Sequence, residues 1–592
     1  MARFTQHETA RQTTRAIWNS SRLRMLQILH HNVVFSSLVL IAWGMPLLAQ
    51  QQKSAGTADA VYLHGTIVTG EDLTSATPRR VSALAVQNGT VVAAGSNAEI
   101  LKLRGPETEV VDLHGAFTMP GFNDAHVHLA SAGREKLTID LVAVKSLSQM
   151  QERIATAAKT AHPGSWLRGR GWDHTLWPSK QLPTRQNLDA VTGDHPAIFT
   201  RVDGHIAIAN SQALRLAGIT AKTSDPSGGK IDRDARGEPT GIVRETAVDL
   251  VYSKVPAPSR QERRHALELA MHDAIAHGIT SVQDYSTWDD FLVFEEMERE
   301  HKLPIRISEW LTFSDPLPVL EKQRAHHPAD DPMLHTGMLK GFMDGSLGSR
   351  TAALIAPYSD DPGNSGIPQF DQATLNRMTI ERVRAGFQIG FHAIGDRAVG
   401  MALSAFVEAE AAAPESISYR FRIEHAQVVD PKDFARFKGL GVIASMQPNH
   451  LLTDMNWAED RIGPKRATNS YPWKTFVDQG TVLAFGTDYP VEPVTPFRGL
   501  YAAVTRKSED GTTTYHPEQV ISIGQALYAY TQGSPFAEHM EKKKGKLLSG
   551  QFADFVVLDE DLLKARPEAI LRANVLRTVV GGHTVFLANT RQ

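Results

Sequence analysis

Eight short apolar segments, separated by stretches of helical character, constrain this chain more than any other feature. They read AFTMPGFNDAHVHL (116–129), GITSVQDY (278–285), IRISEWLTF (305–313), GMLKGFMDG (337–345), FQIGFHAIGD (387–396), FRIEHAQVV (421–429), GVIASMQPN (441–449) and TVLAFGTDYP (481–490). Helix-like runs at 260–277, 372–385, 397–412 and 431–438 lie between them. Strands that alternate with helices predict parallel βα units, and eight such units close most naturally into an α/β fold of the (β/α)8 barrel type.

The segments outside this rhythm have a different texture. Residues 57–118 and 545–590 alternate apolar and polar residues between Gly and Asn turns, which reads as short β-strands. Strand-rich ends flanking a long mixed middle predict one small β-sandwich built from both termini, because chain ends often lie close together. The barrel is then expected over 119–544, with an insertion at 165–245 that shapes substrate access. Within that insertion GGKIDRDARGEPTG reads as a charged β-hairpin; it lacks the spacing of a calcium loop. The basic run EKKKGK at 541–546 reads as a solvated linker.

At 592 residues the chain can bury a large core without covalent staples. It contains no cysteine, which excludes disulfides, thiolate metal sites and cysteine nucleophiles. A net charge of -3 gives no footprint for nucleic acid. The first fifty residues place Arg11, Arg15, Arg22 and Arg24 before an apolar run from Val33 to Ala49. That order predicts a signal peptide for export to the periplasm or beyond, with no membrane association after cleavage; an uncleaved anchor is the alternative. A homodimer is the ordinary expectation for a soluble enzyme of this size.

The chemistry concentrates where the apolar segments end. His126 and His128 are two apart, so on a strand they face the same side. An apolar run leading into two same-side imidazoles is hard to explain as packing, since a buried imidazole needs a hydrogen-bond partner or a metal. His392, His425 and Asp488 each follow a later apolar segment and precede a Gly- or Pro-containing loop. Strand C-terminal ends converge on one face of a barrel, so these five residues can meet. An all-His/Asp set suits Zn²⁺, with Mn²⁺, Fe²⁺ or Ni²⁺ admitted by ligand type.

With these motifs on the page, together with GRGWDH, RVDGHIAIANSQAL, LKGFMDGSLGSRTAAL, FHAIGDRAV, RIEHAQ, FGTDYPVEP and GKLLSGQFADFVVLD, the chain resembles the amidohydrolase superfamily. The resemblance runs over about 57–590 and points to the branch that contains N-substituted formamide deformylase. It implies that His126 and His128 bind metal. It implies that His392 and His425 are ligands or substrate-polarising groups, and that Asp488 is both a ligand and the general base. Many binuclear members bridge two metals with a carboxylated lysine after the fourth strand, and Lys340 stands at that place. Burial lowers a lysine pKa and favours the neutral amine that reacts with CO₂; a pair with Asp344, or a side chain reaching the strand end, is the plainer alternative.

The implied reaction is hydrolysis of a C–N bond in an amide, formamide or similar small molecule by a metal-activated water. Deamination, hydrolysis of a cyclic amide or ester, and a catalytically silent metal-binding barrel are the alternatives, since fold alone does not choose. Asp344, Ser346 and Arg350 on a Gly-rich loop, His205 in the insertion and His450 after the seventh strand are further candidates for substrate contact. Trp172 and Trp177 could wall an apolar pocket, though loop aromatics more often pin the loop itself. No G-x-S-x-G elbow is present, which argues against serine chemistry.

Overall fold

The computed structural model describes residues 56–201, 206–226, 229–414 and 419–589. The N-terminal segment read as an export signal or anchor, and His205, lie outside the described residues. Among the described residues no helix is long and apolar enough to cross a membrane.

Eight parallel strands pair in chain order: Phe122–Val127, Ile279–Asp284, Arg306–Thr312, Leu334–Phe342, Ile389–Ala393, Arg422–His425, Ile443–Met446 and Leu483–Phe485. Each overlaps one of the eight apolar segments, so the alternation of strand and helix was a sound guide to topology. The result is a mixed α/β fold around a nearly closed eight-stranded parallel barrel. Its last seam, between the eighth and first strands, is short. A parallel bridge joins Val127 to Tyr489. Asp488 N donates to His126 O at 2.7 Å, and His128 N donates to Tyr489 O at 2.8 Å. The Asp124 carboxylate accepts from Thr487 N at 2.9 Å and Thr487 Oγ1 at 2.6 Å. All four of these bonds involve a candidate ligand or its immediate neighbour, so the seam that closes the barrel also positions the chemistry.

The outer helices follow local rules. Helix Arg260–Ala276 starts at Ser259, whose hydroxyl accepts from Glu262 N while the Glu262 carboxylate accepts from Ser259 N, a reciprocal cap. It buries the stripe Ala266, Leu267, Ala270, Met271, Ala274 and Ile275, the 3.6-residue periodicity of a half-buried helix. It packs closely on helix Leu129–Lys136, where a Cβ on Gly133 would stand 1.8 Å from Ala266 O.

Two further sheets are built from the chain ends, the first from N-terminal strands and the second from both ends. One orders Thr90–Gly95, Ala83–Gln87, Ala60–Leu63 and Glu109–Asp112; the other orders His583–Leu587, Val575–Val580, Phe555–Leu558, Phe117–Pro120, Thr66–Val68 and Arg80–Val81. Phe117–Pro120 pairs antiparallel with Phe555–Leu558 and so joins the two ends of the sequence directly. Tyr62, Leu84 and Val111 from the first sheet share one apolar cluster with Ile67, Phe555 and Val579 from the second. A buried bidentate pair ties this region to the barrel: Arg306 Nε and Nη2 donate to the Asp554 carboxylate at 2.6 and 2.9 Å. The run EKKKGK is not wholly the solvated linker expected of it. Lys544 is buried and donates to Ser281 Oγ at 2.7 Å and Glu538 Oε1 at 2.9 Å, because a lysine whose ammonium finds two acceptors can be withdrawn from water.

The inserted unit is a six-stranded mixed sheet whose outermost strand is Ile139–Asp140, so it reaches further back than residue 165. GKIDR and PTGIVRE form the antiparallel hairpin read from the sequence. Trp172 and Trp177 belong to the apolar core of this unit.

The barrel seam leaves no room at Gly486, where a Cβ would lie 2.6 Å from His126 N and 2.7 Å from Asp124 Oδ1. Gly486→Ala therefore forces the eighth strand off the first, a strain of about 1–3 kcal/mol. A lowered midpoint of thermal unfolding is expected; an unchanged midpoint would show that the two strands are not held at this spacing.

Candidate metal centre

His126, His128, Lys340, His425, His450 and Asp488 converge at the C-terminal ends of the barrel strands. His126 and Asp488 are brought together by the seam itself, with His126 Nε2 3.6 Å from Asp488 Oδ1. The backbone bends sharply to present them: φ is 74° at His425, 43° at Ala426 and 60° at Asp488. Non-glycine residues persist in the left-handed region only where their surroundings impose it, and such outliers cluster at functional sites.

Hydrogen bonds decide which ring nitrogens face inward. His126 Nδ1 lies 2.9 Å from Glu424 Oε2. An ionised carboxylate only accepts, so Nδ1 carries the hydrogen and Nε2 presents its lone pair. His128 Nδ1 lies 3.1 Å from Tyr285 O, with the same consequence. His128 Nε2 then faces Asp488 Oδ1 at 3.1 Å, lone pair against carboxylate. That oxygen is buried without a hydrogen-bond partner. Asp488 Oδ2 lies 3.2 Å from His450 Nε2, and Lys340 Nζ lies 3.0 Å from His126 Nε2.

Glu424 is itself anchored. Its Oε1 lies 2.9 Å from Arg422 Nε, and the Arg422 guanidinium also donates to Gln283 Oε1, to Ala125 O at 2.9 Å and to Ser445 Oγ at 2.9 Å. Barrel interiors are commonly filled by branched apolar side chains; here a charged column supports the imidazole from below.

The electrostatics match this arrangement. Burial, then the Lys340 charge, pulls the His126 imidazole down to about 4 and that of His392 down to about 3. Burial and the neighbouring His392 push His425 well below its ordinary value. These rings are neutral and can offer lone pairs. Burial lowers the Lys340 ammonium to about 8. Burial alone would raise the carboxyls of Glu424 and Asp488. Arg422 and His126 reverse that for Glu424, which falls to about 2, and Asp488, ringed by His126, His128, His450 and His425, is held well below the carboxylate range, with His450 supplying the positive charge because His126 and His425 are neutral. His450, which burial would lower, is instead raised to about 9 by Asp488.

This donor set fits a divalent cation. His126, His425 and Asp488 each offer a ligand atom, and these atoms all lie within 4.8 Å of one another. The partnerless Asp488 Oδ1 and the opposed His128 lone pair are relieved by positive charge placed between them, and N/N/O donors of this kind suit zinc.

The remaining candidates divide. His392 stacks edge-on against His425 with ring centroids 4.5 Å apart, but its Nε2 points to Gly345 O at 3.1 Å. His450 stands beside Asp488. Asp344 does not pair with Lys340: its carboxylate accepts Ala353 N at 2.8 Å, Ile394 N at 3.1 Å and Gly395 N at 2.8 Å, which clamps the loops after the fourth and fifth strands. Arg350 is committed to Asp360 by two bonds of 3.1 and 2.9 Å, and Ser346 to Ser349 at 2.7 Å, so both order their own loop. Trp172 is fully buried with Nε1 donating to Phe199 O at 2.8 Å, and Trp177 Nε1 donates to Val144 O at 3.0 Å; neither indole walls the centre. Glu424, Arg422 and the Tyr285 carbonyl escaped the sequence reading. A signal for the first two existed: charges inside the apolar strand FRIEH are as anomalous as Lys340 in GMLKGF.

The profile of the amidohydrolase family matches residues 109–586. The Arabidopsis thaliana protein LONG AFTER FAR-RED 3 is 34% identical over 541 residues, covering 89% of this chain and 92% of its own length. N-substituted formamide deformylase of Arthrobacter pascens is 26% identical over 518 residues, with 84% of this chain and 94% of that protein covered. The crystal structure of an uncharacterized metal-dependent hydrolase from Pyrococcus furiosus superposes with a TM-score of 0.72 at 32% identity, covering 85% of this chain and all of that one (100%).

Glu424→Gln replaces the acceptor that orients His126 and leaves Arg422 with less compensation. Loss of such an outer partner typically weakens metal binding about 10–100-fold. Chelator competition with zinc should show that weakening, and equal zinc affinity in both proteins would remove Glu424 from this role.

Proposed function

This chain belongs to the amidohydrolase family, and from that premise we propose that it is a metal-dependent hydrolase cleaving a carbon–nitrogen bond of a small amide, formamide or related molecule. One observation carries the reading: Asp488 is an ionised, buried carboxylate with one oxygen free of hydrogen bonds and turned toward inward-facing imidazoles. A carboxylate so placed serves no folding purpose that a neutral side chain would not serve at lower desolvation cost.

In this proposal His126, His128, His425 and Asp488 hold the cation, with His392 and Lys340 as further ligands. When bound, a divalent cation such as zinc lowers the pKa of a coordinated water to about 7 and polarises a carbonyl. Asp488 takes the proton released as water attacks the substrate carbon, then delivers it to the departing nitrogen. His450, within hydrogen-bond distance of Asp488 Oδ2, orients the carboxylate for both transfers. Glu424 and Tyr285 O keep the His126 and His128 rings turned inward throughout. Lys340, sheltered among Trp310, Phe342 and Tyr285, is lowered to about 8, which enlarges the fraction present as the neutral amine. Its attack on CO₂ would form an N–C bond as one C=O π bond becomes the carbamate C–O⁻, and would release one proton, adding an anionic oxygen donor to the set that would hold the cation.

The deformylase relative is named for N-substituted formamides, which makes that class the first to test. The basic-then-apolar N-terminus supports export of the enzyme to the periplasm or beyond.

Asp488→Asn, assayed with zinc in saturating excess so that loss of the base is read apart from weakened metal binding, should lower turnover of a small amide and formamide panel by about 10²–10⁴-fold. Turnover equal to wild type would eliminate Asp488 as the base, and turnover insensitive to chelator would eliminate the metal. Exposure to isotope-labelled bicarbonate should give a carbamate carbon resonance that is missing in Lys340→Ala; its absence from the wild type would leave Lys340 as an amine.

A further inference from the structure

A second group of ligand-type side chains lies at the other end of the strand that carries Lys340. Helix Trp288–Arg299 presents Glu295 and Glu298 three residues apart, hence on one face. Opposite them runs the segment that follows helix Leu317–Arg324 and feeds strand Leu334–Phe342; it carries His327 and Asp331. Glu298, His327 and Asp331 each offer one ligand atom, and these atoms all lie within 4.8 Å of one another.

The imidazole at the middle of this group is built in, not draped over the surface. The His327 side chain is only 7% exposed, and its ring meets Phe291 edge-on at 5.8 Å between centroids. Its Nδ1 lies 3.1 Å from Glu295 Oε1, so Nδ1 carries the hydrogen and Nε2 keeps its lone pair. That Nε2 is buried without a hydrogen-bond partner and is directed at Asp331, whose Oδ2 is 3.7 Å away. Asp331 is fixed as well: its Oδ1 accepts Met333 N at 2.7 Å and Leu334 N at 3.0 Å, which leaves Oδ2 for the cluster. An oriented imidazole whose far nitrogen hydrogen-bonds a carboxylate is the arrangement by which proteins present histidine to a metal.

We propose that Glu298, His327 and Asp331 form a second divalent-cation site that fastens helix Trp288–Arg299 to the segment entering the fourth barrel strand. One nitrogen and two carboxylate oxygens suit zinc, with water completing the shell. Zinc at about 2.0–2.1 Å from each donor spaces tetrahedral donors roughly 3.4 Å apart; His327 Nε2 and Asp331 Oδ2 stand close to that spacing at 3.7 Å, and Glu298, on the half-buried helix face, closes the remaining distance. The cation offsets the charge that Glu298 and Asp331 bring to the buried ring, and its role is structural, since the strand separates it from the central cluster.

The test uses the full chain, stripped with chelator and reloaded with zinc alone, with bound zinc counted per chain and the unfolding midpoint recorded with and without zinc. Wild type should retain one more zinc per chain than His327→Gln or Glu298→Gln, and the zinc-dependent rise in midpoint should shrink in both. Glu298→Gln is nearly isosteric at a half-exposed position and should keep wild-type turnover. The double variant His126→Asn, Asp488→Asn should still bind the additional zinc, which separates this site from the central one. Equal zinc content in wild type, His327→Gln and Glu298→Gln overturns the proposal and leaves His327 as a hydrogen-bonding partner of Glu295 alone. Zinc released from all three proteins at the same chelator concentration overturns it too.

Discussion

The backbone hydrogen bond from Asp488 to His126 O, 2.7 Å long, is the contact on which the rest of the centre depends. It joins the last barrel strand to the first, and the two residues it joins supply opposing halves of the candidate cation site. Closure of the barrel and assembly of the site are one event. The close approach of Gly486 to His126 N and the two bonds from Thr487 to Asp124 make the seam narrow enough for this. Neither Asp488 nor His425 could adopt its left-handed backbone without that framework, because an isolated chain would relax to negative φ.

Closing the barrel over charged groups carries a desolvation cost that the structure offsets pair by pair. Arg422, Glu424 and His126 form a continuous column in which the guanidinium compensates the carboxylate charge and the carboxylate accepts from the imidazole. A buried ion pair contributes little net stability, but removal of one member leaves the other uncompensated. The column is therefore better understood as a positioning device: it fixes the tautomer and tilt of His126, while the Tyr285 carbonyl does the same for His128. Lower in the barrel, Lys544 with Glu538 and Arg306 with Asp554 use the same compensation to fasten the terminal sheets to the barrel floor.

Much of this was legible in the residues. Eight apolar segments foretold eight strands, since short apolar runs and Gly or Pro boundaries are local properties. Strand ends bearing His126, His128, His425 and Asp488 could be grouped because a parallel barrel sends all such ends to one face. Side-chain direction was not legible. Asp344 and Arg350 stand just beyond a strand end, as a substrate contact would, yet their polar atoms are consumed by backbone amides and by Asp360. Trp172 lies in a long insertion, yet that insertion has its own sheet and its own core, which takes the indole. Glu424 was passed over because only the opposite strand reveals that an imidazole waits for its carboxylate.

By itself the sequence determined which residues could form strands, that no thiol chemistry is available, and that histidines and one aspartate would end the strands, because composition and periodicity act over a few neighbouring residues. Tertiary structure alone decided which nitrogen each ring presents, that Asp488 Oδ1 is left without a partner, and that Lys340 meets His126 in place of Asp344. Those outcomes depend on contacts between residues far apart in the chain, from 157 positions for His128 and Tyr285 to 298 for His126 and Glu424, and no local pattern carries the distance between them.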